Sequence, residues 1–130
     1  MTASVMNVVD SSGWLEYLAD ADNAEFFAAA IEDPSQLIVP TLSIYEVFTR
    51  ILQQRDKDSA LQAAAAMEQG TVVELSVPIA LMAADLSLAH SLPLADSIIL
   101  ATSRAHGAVL WTQDADFDAL QDVRYVRKTA

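Results

Sequence analysis

The amino-acid sequence predicts an α/β fold in three layers, α/β/α, around a central, mostly parallel sheet of four to five strands. Three observations carry that prediction. Four short apolar runs are continuous rather than alternating, the pattern of strands covered on both faces. Stretches with helical patterning separate them, so strands and helices alternate. Pro34, Pro40, Pro78 and Pro93 fall at element boundaries, and Gly70 and Gly107 follow helices as C-terminal caps do. With 130 residues, 53% of them apolar, the chain is read as one domain, 1–130, with enough apolar side chain to form a core.

The first strand is expected at residues 5–9. Helices at 14–19 and 24–32 follow, with Trp14, Tyr17, Phe26 and Phe27 read as core packing. The second strand, 37–39, stops at Pro40. Residues 44–55 form a helix because Ile44, Val47, Phe48 and Ile51 recur on one face. The next helix, 59–69, contains an alanine run at 63–66, the strongest helix former. A third strand is expected at 72–75. The helix at 79–90 has two stripes: Ile79, Met82, Ala83 and Leu86 on one side, Leu81, Ala84 and Leu88 on the other. Such a helix is either sandwiched inside the domain or lies at a subunit contact. A helix at 95–105 and a strand at 108–111 follow, with a weaker fifth strand at 124–126.

Charge narrows the function classes. Seven basic residues face 18 acidic ones, for a formal net charge of −11, which excludes a nucleic-acid coat protein held by a broad basic surface. Residues 1–49 hold eight carboxylates and no Lys or Arg; the first basic residue is Arg50. Two readings stay open: a solvated, solubilising surface, or an acidic face that attracts cations or a basic partner. The sequence has no cysteine, hence no disulfide framework, thiolate metal site or thiol nucleophile. It shows no signal-like N-terminus and no run of about 18 apolar residues, so a cytoplasmic location without membrane insertion is expected.

Four acids have ordinary explanations singly. Asp10 is a favoured N-cap after a strand. Ser43 and Glu46 have the spacing of a capping box, and Glu46 can also pair with Arg50 one turn on. Asp96 suits the first turn of a helix, and Asp114 can cap the turn around Phe117. Together they mean more. In a parallel sheet, residues that end strands and first turns that follow or precede strands share the carboxyl edge, where open α/β sheets bind ligands. Two unit charges about 5 Å apart repel by roughly 3 kcal/mol at an effective dielectric of about 20. Four carboxylates there call for a hard divalent cation, Mg²⁺ or Mn²⁺ first, with Asp116 a fifth candidate. A carboxylate-held cation suits phosphoester hydrolysis, activating water and neutralising phosphate charge. Ser11 and Thr112 are placed to orient a carboxylate or to cap. His90 and His106, near helix C-termini, are read as caps or surface residues.

Val8-Val9-Asp10-Ser11-Ser12, Ile44-Tyr45-Glu46-Val47, the stretch from Leu94 to Ala101 around Asp96, and the stretch from Leu110 to Phe117 around Asp114 resemble the acidic motifs of PIN-domain ribonucleases. The similarity runs over essentially the whole chain and is strongest to the VapC toxins of type II toxin–antitoxin modules. The resemblance implies a PIN-like fold and a Mg²⁺- or Mn²⁺-dependent endoribonuclease. It implies that Asp10, Glu46, Asp96 and Asp114 are the catalytic, metal-binding quartet and Asp116 the accessory acid. It also implies RNA as substrate, a VapB-like antitoxin as inhibitor, a homodimer, and operator DNA bound only through the antitoxin. Arg50 and Arg104 are the first candidates for substrate binding, with Arg124 and Arg127 behind them. The alternatives are a non-catalytic partner-binding module and a receiver-type signalling domain. The latter should carry paired acids after the first strand and a late Lys, and Val9-Asp10-Ser11 has one acid only.

Overall fold

The computed structural model describes residues 5–129. Five strands form one sheet: β1 (Asn7–Val9), β2 (Leu37–Pro40), β3 (Thr71–Val73), β4 (Val109–Thr112) and β5 (Val123–Tyr125), in the spatial order β3-β2-β1-β4-β5. Every pairing is parallel. The helices are α1 (Ser11–Leu18), α2 (Ala24–Ile31), α3 (Thr41–Gln54), α4 (Lys57–Met67), α5 (Val77–His90) and α6 (Leu94–Ala105), with short 3-10 turns at Pro34–Gln36 and Ala115–Phe117.

Alternation along the strands builds the layers. Val8, Ile38 and Leu110 face one core with Ile79, Ala83 and Leu86 of α5 and Ile99 and Leu100 of α6. Their chain neighbours Val9, Leu37, Val39 and Trp111 face the other, with Trp14, Phe27, Val47 and Met67 of α1 to α4. The three layers follow, with α5 and α6 on one side of the sheet and α1 to α4 on the other. The chain adds β2 and β3 on one side of β1, then crosses to add β4 and β5 on the other. The strand order therefore reverses between β1 and β4, and their carboxyl ends frame the crevice of such a sheet.

Several expectations shift. Strand β3 is an edge strand with Thr71 and Val72 exposed, not a strand covered on both faces, and Leu75 lies beyond it, half exposed. An apolar run does not reveal whether a second neighbour will pair with it. The first strand starts at Asn7, and β4 and β5 move by one residue. Helix α3 starts at Thr41 because Pro40, with extended backbone, serves as its N-cap. The expected capping box is thus absent: Ser43 sits inside the first turn, fully buried, its hydroxyl without a hydrogen-bond partner. Gly107 has φ +60, the left-handed cap expected. Gly70 serves differently, since a Cβ there would lie 2.9 Å from the Leu37 carbonyl oxygen. The second stripe of α5 faces outward, with Leu81 65% and Leu88 87% exposed, so the helix is not sandwiched within the domain. Among the described residues no single helix is long and apolar enough to cross a membrane.

Candidate active site

The crevice gathers acids from four elements. Asp10 follows β1 and caps α1, accepting from the Gly13 N–H at 2.8 Å. It also accepts from the hydroxyls of Thr112 at 2.5 Å and Ser12 at 3.2 Å, and is only 4% exposed. Thr112, at the end of β4, works on both sides, because its Oγ1 accepts from the Asp114 N–H at 2.9 Å. Asp114 in turn caps the Ala115–Phe117 turn, its Oδ1 accepting from the Asp116 N–H at 2.9 Å. Glu46 reaches in from the second turn of α3, its Oε1 accepting from the Ser11 hydroxyl at 2.6 Å. Asp96 stands half-buried in the first turn of α6.

Asp10, Glu46, Asp96 and Asp114 line one cavity of about 400 Å³, together with Ser11 and Arg50. Carboxylate oxygens of Asp96, Asp114 and Asp116 lie within 4.8 Å of one another. Burial pushes the Asp10 carboxyl up to about 6; the hydrogen bonds from Thr112, Gly13 and Ser12 oppose the rise, and the charge of Asp114 adds to it. Asp96 is pushed up to about 7, by burial first and then by Asp114, Asp10, Asp116 and Glu46. The charges of the other four acids thus all act on Asp96. Such a set, made of oxygen donors alone and short of positive charge, fits a hard divalent cation.

Other expected residues lie elsewhere. Arg104 is in the last turn of α6, eight residues and about 12 Å along the helix from Asp96, away from the cavity. The Arg124 guanidinium lies 4.3 Å from the centroid of the Trp111 ring. His90 and His106 end α5 and α6, and His106 Nδ1 lies 2.9 Å from the Thr102 carbonyl oxygen, in keeping with a capping role. Sequence reasoning missed Arg55, Gln113 and Lys128, which line a groove adjoining the cavity. Gln113 had a signal, standing between Thr112 and Asp114 in a motif already picked out.

The sequence profile of the PIN domain matches residues 8–123. The chain belongs to the PIN-domain family. That match spans β1 to the start of β5, and it sets aside the receiver-type alternative. Solved PIN-fold neighbours include a toxin–antitoxin complex from Klebsiella pneumoniae, 22% identical, with TM-score 0.77 over 93% of this chain and 96% of that one. A second is the VapC20 toxin of Mycobacterium tuberculosis, which cleaves the sarcin–ricin loop; it is 19% identical, with TM-score 0.73 over 88% and 95%. A third is VapBC2 of Rickettsia felis bound to a fragment of its promoter DNA, 9% identical, with TM-score 0.73 over 95% and 98%. At these identities the likeness is one of fold. No curated protein sequence matches the chain significantly.

Proposed function

We propose that this PIN domain is a metal-dependent endoribonuclease, the toxin of a VapBC-type module. The observation that carries the reading is the meeting of four carboxylates from four elements in one cavity at the point where the strand order reverses. Asp10, Glu46, Asp96 and Asp114 are the ligands of Mg²⁺ or Mn²⁺, with Asp116 supporting them from the rim. A cation held there would supply a Lewis acid that lowers the pKa of an attacking water and offsets charge on the phosphate. The chain's own residues do the holding. Thr112, Ser12 and the Gly13 N–H fix the Asp10 carboxylate, and Ser11 fixes that of Glu46. Arg50, on the rim of the same cavity, meets the negative charge of the phosphodiester. Water adds across one P–O bond, leaving a phosphate on one RNA end and a hydroxyl on the other.

The fold shared with toxin–antitoxin proteins supports a VapB-like antitoxin as the inhibitor, with operator DNA reached only through it. The eight carboxylates and absent Lys and Arg of residues 1–49 suit a basic antitoxin segment. A cytoplasmic homodimer is the proposed setting. The test uses purified protein freed of antitoxin, a mixed RNA pool, and Mg²⁺, Mn²⁺ or EDTA, beside Asp96→Asn. Cleavage should require the metal and fall at least about 100-fold in the variant. Cleavage by Asp96→Asn at the wild-type rate removes Asp96 from the site. A folded wild type that cuts nothing under any metal favours the non-catalytic partner-binding role.

A further inference from the structure

A chain of net charge −11 has to hold an anionic polymer by local contacts, and its basic residues show where. Beside the acidic cavity runs a groove of about 720 Å³, bounded by α1, the C-terminal half of α3, α4 and the segment after β5. Three of the seven basic residues line it: Arg50, Arg55 and Lys128. Ser12, Leu15 and Arg50 line both the groove and the acidic cavity, so the two adjoin.

Lys128 reaches the groove because the C-terminal segment is strapped down. Asn23 Nδ2 donates to Gln113 Oε1 at 2.9 Å and to the Arg127 carbonyl at 3.2 Å. The Thr129 hydroxyl donates to Asp22 at 2.8 Å. Gln113, itself 4% exposed, donates from Nε2 to Glu16 Oε1 at 3.3 Å. Glu16 is the acid that also lines the groove, and its second oxygen accepts from the Asn23 N–H at 2.9 Å. Both of its oxygens are thereby engaged, while Arg50, Arg55 and Lys128 are exposed. Gln54 and Gln62 add amide donors to the lining.

We propose that this groove holds the backbone phosphates of the RNA strand where it leaves the acidic centre, with Arg55 and Lys128 as substrate-binding residues. The proposal rests on the nuclease reading above. A polymer whose scissile phosphate sits among the carboxylates has to run on beyond the cavity, and the groove that shares Arg50 with it offers positive charge along that path. An acidic protein segment matches the charge but not the continuity, since nothing carries it into a cavity of carboxylates.

The test is the double variant Arg55→Gln, Lys128→Gln, assayed with a single-stranded RNA of about 12 nucleotides, long enough to span the cavity and groove. In cleavage, KM should rise about tenfold with kcat within about twofold, as when binding common to the ground and transition states is lost. In an Asp96→Asn background, fluorescence anisotropy should show weaker RNA binding whose log–log salt slope is smaller by about 1.4, or two phosphate contacts. Unchanged KM and slope, with the wild type cleaving normally, overturn the groove assignment and leave the nuclease reading standing. Polyglutamate binding that the double variant abolishes, with RNA binding untouched, assigns the groove to an acidic protein segment and also overturns it. A wild type without metal-dependent cleavage removes the nuclease reading and the groove proposal together. Circular dichroism of the variant guards against misfolding, since both side chains are exposed.

Discussion

Asp10 accepts from Thr112, Ser12 and the Gly13 N–H, yet its carboxyl remains raised to about 6 because burial outweighs those bonds. Asp96 goes further, to about 7, with four like charges adding to burial. Both therefore bind protons more readily in the folded chain than in the unfolded one, where a carboxyl titrates near about 4. Their contribution to stability is fully present below about pH 4 and is lost as pH rises through about 6 for Asp10 and about 7 for Asp96. The metal-free protein should melt at progressively lower temperature between about pH 4 and 7, and saturating Mn²⁺ or Mg²⁺ should flatten that dependence. Differential scanning calorimetry with EDTA and with metal checks it; a metal-free melting temperature that climbs with pH contradicts it. Asp10→Asn keeps an acceptor for Gly13 and removes the buried charge. At neutral pH it should raise the metal-free melting temperature by several degrees and shrink the upshift caused by metal.

Two small residues in the first turns of helices show how tightly α1 and α3 are seated. Gly13 lies where a Cβ would stand 2.6 Å from Phe27 Cε1 and 2.8 Å from Val9 Cγ1. Alanine at a helical position gains about 1 kcal/mol in propensity, but overpacking costs about 1–3 kcal/mol, and Val9 and Phe27 are fully buried. Overpacking wins, so Gly13→Ala should lower stability in urea denaturation. Ser43→Ala should do the reverse, by about 1 kcal/mol, because it removes a buried hydroxyl that has no partner. A stabilised Gly13→Ala or a destabilised Ser43→Ala would show that the packing around these turns is looser than described. The same residue marks a limit of legibility. The spacing of Ser43 and Glu46 fits a capping box, but Pro40 starts the helix a turn earlier, which turns Ser43 inward and leaves Glu46 free to meet Ser11.

At the scale of the molecule, the exposed stripe of α5 is the surface that a second copy has to explain. Leu81 and Leu88, seven residues apart, share one exposed face, and Val77 lies one turn before Leu81. If this face forms the proposed homodimer, Leu81→Glu with Leu88→Glu should turn a sedimenting dimer into a monomer while circular dichroism stays unchanged. A wild type that sediments as a monomer sinks the idea. The α/β class, the alternation of strands and helices, and the identities of the acids that meet were legible in the sequence, because apolar periodicity and boundary residues act over a few positions. The sequence also placed Asp10, Asp96 and Asp114 at the correct ends of their elements. Which strands are neighbours, and with that which distant residues touch, follows from the three-dimensional packing alone. Thr112 grips Asp10 across 102 positions because β4 pairs with β1. Strand β3 became an edge, Arg104 fell at the far end of its helix, and Lys128 was drawn to Arg50 and Arg55 by bonds from Asn23 and Thr129. Such contacts depend on strand order and crossovers, which no local pattern of residues records.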